Sequence, residues 1–211
     1  MEQIGRRAFM AGGVALGGAA LAGAASARNG KESKPMKVVV LTGSPRKNGN
    51  TNTLAARFIE GAKAAGHEVF RFDAAEAKVS PCRACNACGM NGPCVLKDDF
   101  EQLREKLVEA DVIAFATPMY YFGFSAQLKA VIDRFYALAG RLHTPKRCVL
   151  MMAYADTDAR KRRVLTDYYE MLLDYHGWTD AGRVIAPGCW PAGAINATDL
   201  PQKAYTLGNT L

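Results

Sequence analysis

Five short apolar runs, separated by amphipathic stretches, constrain this chain more than any other feature. They are Lys37–Leu41 (KVVVL), Glu68–Asp73 (EVFRFD), Val112–Thr117 (VIAFAT), Cys148–Ala153 (CVLMMA) and the weaker Thr179–Ala186 (TDAGRVIA). KVVVL, VIAFAT and CVLMMA are apolar nearly throughout, the pattern of strands buried on both faces in a parallel sheet. The stretches between them read as helices. Thr51–Ala65 gathers Leu54, Phe58, Ile59 and Ala62 on one face, and Ser125–Leu142 does the same with Leu128, Val131, Ile132 and Phe135. Asp158–Tyr175 and Asp199–Leu211 are two more. A further helix, burying Leu103 and Leu107, is expected to start at Asp98 or Asp99, since Glu101 and Gln102 complete capping-box patterns with them.

Strand and helix alternate strictly, which predicts a doubly wound α/β sheet with helices on both faces. Five strands fit the flavodoxin-like order 2-1-3-4-5, a three-layer α/β/α arrangement. In such sheets the ligand lies beyond the strand C-termini, where the strand order reverses beside the first strand. The loops that matter therefore begin at Thr42, Thr117 and Ala153. With 211 residues, 49% hydrophobic, and no repeat or linker-like stretch, the chain fits one main domain. The formal net charge of +7 favours anionic ligands. No basic helix or aromatic-basic motif accompanies it, so nucleic acid is not an expected partner.

Residues 1–27 read as an address rather than as part of the fold. Arg6–Arg7 precede a mildly apolar Ala/Gly/Leu run from Ala11 to Ala25, and Ala25–Ser26–Ala27 forms an A-x-A cleavage site. The segment is similar to a twin-arginine export signal, which implies a periplasmic or otherwise exported protein that folds in the cytoplasm first. A retained membrane anchor is the alternative, but the run is short for a span, and none is expected after processing. Residues 28–35 would be a short linker, and 36–211 one flavodoxin-like domain with a Cys-rich insert at 79–96.

The first loop, TGSPRKNGNTNT, lacks both the G-K-[ST] of a P-loop and the G-x-G-x-x-G of a dinucleotide site. It offers Ser44, Arg46, Asn50, Thr51 and Asn52 at a helix N-terminus, which suits a terminal phosphate. Simple N-capping by Asn50 or Thr51 is the plainer reading, but it explains neither Ser44 nor Arg46. The second loop, TPMYYFGFSAQLK, carries Pro118, Met119, Tyr120, Tyr121, Phe122, Gly123 and Phe124, aromatics placed where a flat ring would lie. Gly123 is expected to let the backbone approach a ligand closely. The third loop adds Tyr154.

With the cysteine segment SPCRACNACGMNGPC at 80–94, GSPRKNGNT, CVLKDDF and TPMYYFGFSAQLKAVIDRF resemble the NADPH-dependent FMN reductase family, specifically its cysteine-bearing iron–sulfur flavoprotein branch. The resemblance spans nearly all of residues 36–211. It implies that Ser44, Arg46, Asn50, Thr51 and Asn52 bind the FMN phosphate and that Pro118–Gly123 line the isoalloxazine. It also implies a homo-oligomer with the flavin near a subunit interface, and NAD(P)H as electron donor. The cofactor would carry the electrons, so no catalytic side chain is assigned. His67, His143 and His176 have no partner visible in sequence and read as structural or surface residues. The export signal departs from the family pattern. NAD(P)H is not expected in quantity outside the cytoplasm, so a quinone, another flavin or a redox protein is the expected partner.

Cys82, Cys85, Cys88 and Cys94 follow the spacing C-x2-C-x2-C-x5-C. Three such thiols, closed by a fourth, are the ligand pattern of an iron–sulfur cluster such as [4Fe-4S]. Free thiols, exchange-active disulfides and a zinc site stay open as alternatives. Cys148 reads as a buried small hydrophobe, and Cys189 has no assigned role. The leading function is an FMN-dependent oxidoreductase. A non-enzymatic electron carrier with FMN and a cluster is a second reading, and a binding module that has lost flavin is a third.

Overall fold

The computed structural model describes residues 34–211. The export-signal reading falls on residues outside that range. Among the described residues no helix is long and apolar enough to cross a membrane.

Five parallel strands form one sheet: β1 (Lys37–Thr42), β2 (Glu68–Asp73), β3 (Val112–Pro118), β4 (Arg147–Ala153) and β5 (Thr179–Ala186), in spatial order β2-β1-β3-β4-β5. The helices are α1 (Asn50–Ala64), α2 (Glu101–Glu109), α3 (Ala126–Asp133), α4 (Ala139–Leu142), α5 (Ala159–His176) and α6 (Leu200–Asn209). The order reverses between β1 and β3, which pair in register from Val38↔Val112 to Thr42↔Ala116. That is the predicted flavodoxin-like switch point.

Successive strand residues point to opposite faces, so one β-branched run feeds two cores. Val39, Leu41, Ile113, Phe115, Leu150 and Met152 pack against Leu103, Leu128, Val131 and Leu173. Val38, Val40, Ala114, Val149 and Met151 pack against Leu54, Ala55 and Phe58 of α1 and Ala204 of α6. The α1–α6 contact needs bare glycine. A Cβ on Gly61 would sit 2.0 Å from the Tyr205 carbonyl oxygen, and one on Gly208 would sit 2.1 Å from that of Phe58.

Two expectations are corrected. Ser125–Leu142 is not one helix: α3 ends at Asp133, a 3₁₀ turn runs Arg134–Leu138, and α4 follows. There Arg134 turns inward and Gly140 N–H donates to the Met90 carbonyl at 3.3 Å, so the break wraps the Cys-rich loop. Nor does either expected capping box form: the N-cap of α2 is Phe100 with no side-chain cap bond, and Asp98 meets the helix entry only by accepting from Phe100 N–H at 3.2 Å. Asp99 instead accepts from Lys78 N–H at 2.7 Å, and Asp98 from Ser80 N–H at 3.0 Å. Both carboxylates tie down the start of the thiol segment.

Candidate functional site

A cleft opens at the C-terminal edge of the sheet, beside the switch point. Ser44, Arg46, Asn50 and Thr51 line it from the β1–α1 loop, Pro118, Met119 and Tyr120 from the end of β3 and the loop after it, and Tyr154 from the loop after β4. Eight of the residues expected to hold the cofactor thus converge from three loops. The cleft has a further wall that the sequence reading left unassigned, Cys189 and Trp190 after β5.

The β1–α1 loop is built to present donors. Gly49 enters α1 with extended backbone and no side-chain cap, which leaves the first-turn N–H groups open toward the cleft. The Ser44 hydroxyl accepts from Arg46 N–H at 3.3 Å and keeps its own proton to give. The Arg46 guanidinium is exposed, with a long 3.4 Å bond to the Trp190 carbonyl. Ser44, Thr51, the first-turn amides and Arg46 therefore make a cradle for a dianionic group.

Asn50 and Asn52 serve this cradle differently from the expectation. The Asn50 amide donates to the Cys189 carbonyl (2.9 Å) and the Pro191 carbonyl (2.8 Å), and its Oδ1 accepts from Ile195 N–H (3.1 Å). Its side chain is fully committed to holding the β5 wall and has no proton left for a phosphate. Asn52 does not line the cleft. It stands behind the loop, donating to the Arg46 carbonyl at 2.9 Å and accepting from Arg71 at 3.4 Å. Arg71 also grips Asp73, which accepts from the Thr42 hydroxyl at 2.6 Å. Burial alone would raise the Asp73 carboxyl, but the Arg71 and Thr42 hydrogen bonds overcome it and hold it below the usual carboxylate range.

The aromatic loop folds into a tight two-residue turn. Tyr120 and Gly123 exchange both backbone hydrogen bonds at 3.1 Å. Gly123 was expected to supply the conformational freedom, but the left-handed positions are Tyr121 (φ 45°) and Phe122 (φ 68°). Such turns favour Asn or Gly there, and large side chains at positive φ store strain. Tyr121 is 99% exposed and Phe122 46%. Neither they nor Gly123 line the cleft; they stand at its rim. Phe124 turns inward and packs edge-on against Phe115.

Cys82, Cys85, Cys88 and Cys94 line one cavity with Arg134, Tyr136 and Leu96, and all four are free thiols. Among the described residues no three His, Cys, Asp or Glu side chains converge closely enough to hold a single ion. A zinc ion needs four ligands about 2.0–2.3 Å from one point. A cluster separates its four thiolates more widely, a spacing that four cysteines lining one cavity suit better than a single ion. The loop backbone fits too. Ala84, Asn86, Gly89 and Met90 are all left-handed, so the loop is tightly coiled, and three of them are non-glycine residues that store strain. The Ala84 N–H lies 3.5 Å from Cys82 Sγ.

The remaining candidates are structural. Cys148 is fully buried in β4, and burial pushes its thiol far above the ordinary range. His67 accepts from Met36 N–H at 3.3 Å. His176 stacks on Trp178 with ring centres 4.3 Å apart.

Comparison with known proteins gives the family and the fold. Over 180 residues the chain is 30% identical to an iron-sulfur flavoprotein of Archaeoglobus fulgidus, covering 83% of this chain and 79% of that protein. It is 39% identical over 99 residues to an iron-sulfur flavoprotein of Methanosarcina thermophila, where the match covers 47% of this chain and 52%, about half, of the relative. Among solved structures, the NAD(P)H:quinone oxidoreductase from Methanothermobacter marburgensis superposes with a TM-score of 0.69 over 84% of this chain and 96% of that one. At 19% identity the likeness is one of fold. Residues 36–189 match the NADPH-dependent FMN reductase family as a whole, and the chain belongs to that family.

Proposed function

We propose that this protein passes electrons through FMN, held in the cleft beside β1 and β3, to a quinone, a flavin or a redox protein. The observation that carries the proposal is the convergence of Ser44, Arg46, Thr51 and the α1 N-terminus with Pro118–Tyr120 and Tyr154 at the switch point of a family-member sheet. In this reading Ser44, Thr51, the first-turn amides and Arg46 hold the phosphate. Asn50 fixes the Cys189–Trp190 wall, and Asn52 fixes the loop. Pro118, Met119 and Tyr120 bed the ring, with Tyr121, Phe122 and Gly123 at its rim, and Tyr154 closes the far side. Bound FMN supplies the hydride and electron chemistry, with NAD(P)H as a donor. The chain's residues position it and exclude water.

Cys82, Cys85, Cys88 and Cys94 would hold a [4Fe-4S] cluster, which supplies one-electron chemistry when bound. The rim aromatics, with Trp190 68% exposed, fit burial against a second copy of the chain. Residues 1–27 would direct export by the twin-arginine route, which would put the protein away from cytoplasmic NAD(P)H. Turnover with NADPH far above that with any quinol or redox protein would count against a non-cytoplasmic partner.

The second reading, an electron carrier without its own substrate, is favoured by the exposure of Cys82 and Cys85 at the surface. Turnover by the flavin-loaded protein separates the two. The deciding measurement is an anaerobic preparation analysed together for FMN, iron, acid-labile sulfide and zinc. Replacing Arg46 and Ser44 by Ala should lower FMN affinity at least about tenfold, the scale of one lost charge-assisted hydrogen bond. Unchanged occupancy overturns the cradle.

A further inference from the structure

Two arginines are buried among the described residues, and both close on the thiol loop. Arg134 is 1% exposed. Its Nη1 donates to the Ser80 carbonyl (3.0 Å) and to Asp98 Oδ2 (2.7 Å), its Nη2 to the Leu96 carbonyl (3.2 Å), and its face lies 4.8 Å from the centre of the Phe100 ring. Arg104 is 7% exposed and donates to the Gly92 carbonyl at 3.2 Å. Each keeps one buried N–H with no partner, Nε of Arg134 and Nη1 of Arg104.

A buried charge is tolerated only when it is paired and bonded. Asp98 answers for Arg134, while the nearest carboxylate contact of Arg104 is a 3.9 Å approach to Glu101, which is 37% exposed. Two buried donors are unmet around a loop that carries four thiols. Propping the loop would need only the Nη groups of Arg134. It accounts neither for the orphaned Nε nor for the place of Arg134 in the wall of the cavity that all four cysteines line. Ligating thiolates would bring negative charge into the cavity whose wall Arg134 forms.

We propose that Arg134 is a positioning residue that sets the reduction potential of the cluster in the thiol cage. Its guanidinium opposes the negative charge that the cage gains when one electron is added, and so raises the potential. The proposal rests on the cluster reading above.

The test is a dithionite redox titration of the full chain under anaerobic conditions, followed by electron paramagnetic resonance, with iron and sulfide measured on every sample. Arg134→Gln should lower the midpoint. Asp98→Asn, which leaves the guanidinium uncompensated, should raise it. Arg134→Lys should stay near the parent. A purely structural role would lower cluster content without moving the midpoint of what remains. Clusters retained with unmoved midpoints, or midpoints that move the same way in Arg134→Gln and Asp98→Asn, overturn the role of Arg134 and leave the cluster reading standing. A parent protein without iron and sulfide overturns both. If Arg134→Gln holds no cluster, Asp98→Asn decides, and a midpoint at or below the parent overturns the proposal.

Discussion

The β1–α1 loop and the Cys82–Cys94 loop are held in opposite ways. The first holds itself. Ser44, Asn50, Thr51 and Asn52 are each 8% exposed or less, and the loop's own asparagines bond its carbonyls and its neighbouring wall. The second is held from outside. Its cysteines are exposed or half-exposed, four of its residues are left-handed, and its carbonyls end on arginines from α2 and from the turn after α3. A site that must fit one rigid ligand can be fastened by its own side chains. A loop that must receive an ion or cluster keeps its thiols accessible and borrows its rigidity.

This contrast can be broken at several points. The largest effect should follow Asn50→Ala, which leaves the Cys189 and Pro191 carbonyls and the Ile195 N–H without their partner. At about 1–3 kcal/mol for each unmet buried group, a loss of about 3 kcal/mol or more is expected in denaturant unfolding. FMN occupancy should fall with it. A change under about 1 kcal/mol would mean that the cradle is not fastened by its own residues.

Acid should act next, and on the thiol side. Burial first, and then the neighbouring His143, hold the His176 imidazole down to about 4. Its unfolded value is about 6.5, so between those limits the unfolded chain binds a proton that the folded one refuses. Stability is full above pH 6.5 and declines as pH falls toward 4, by about 2–3 kcal/mol at most. Trp178, His143, Tyr175 and Phe135 surround the ring, and Phe135 belongs to the turn that carries Arg134. Hydrogen exchange should therefore rise first across residues 84–94 and 134–138. An equal rise in α1 would break the contrast.

A smaller effect belongs to the rim turn. Replacing Tyr121 by Asn and Phe122 by Gly together should relieve left-handed strain and stabilise the protein by about 1–2 kcal/mol, while FMN binding weakens. A loss of stability would show that the aromatics pack more than they strain. Smallest is Cys85→Ser in metal-free protein. An exposed thiol without partners should shift stability by less than about 0.5 kcal/mol, although iron content of the loaded protein should collapse. A large shift in the metal-free form would mean that the thiol loop is held by its own side chains after all.

Much of this was legible in the sequence. Glu68–Asp73 and Thr179–Ala186 are strands over the bounds read from the sequence, and α1 starts one residue before the predicted Thr51. The long helix from Ser125 was misread because the spacing of Leu128, Val131, Ile132 and Phe135 carries smoothly through a 3₁₀ turn. Asp98 and Asp99 fit a capping pattern, and nothing local shows that each also takes a backbone amide some 20 residues earlier. Arg104 and Arg134 look like surface charges until the fold buries them.

What the sequence determined by itself is periodic: which segments are strands, which faces are apolar, and hence the layered sheet and its switch point. Those are properties of neighbours along the chain. What only the tertiary structure decided is the use of each polar group. Asn50 is a staple rather than a phosphate donor because carbonyls 139 and 141 residues away reach its amide first. A hydrogen-bonding side chain has few valences, and only the folded chain shows which partner takes them.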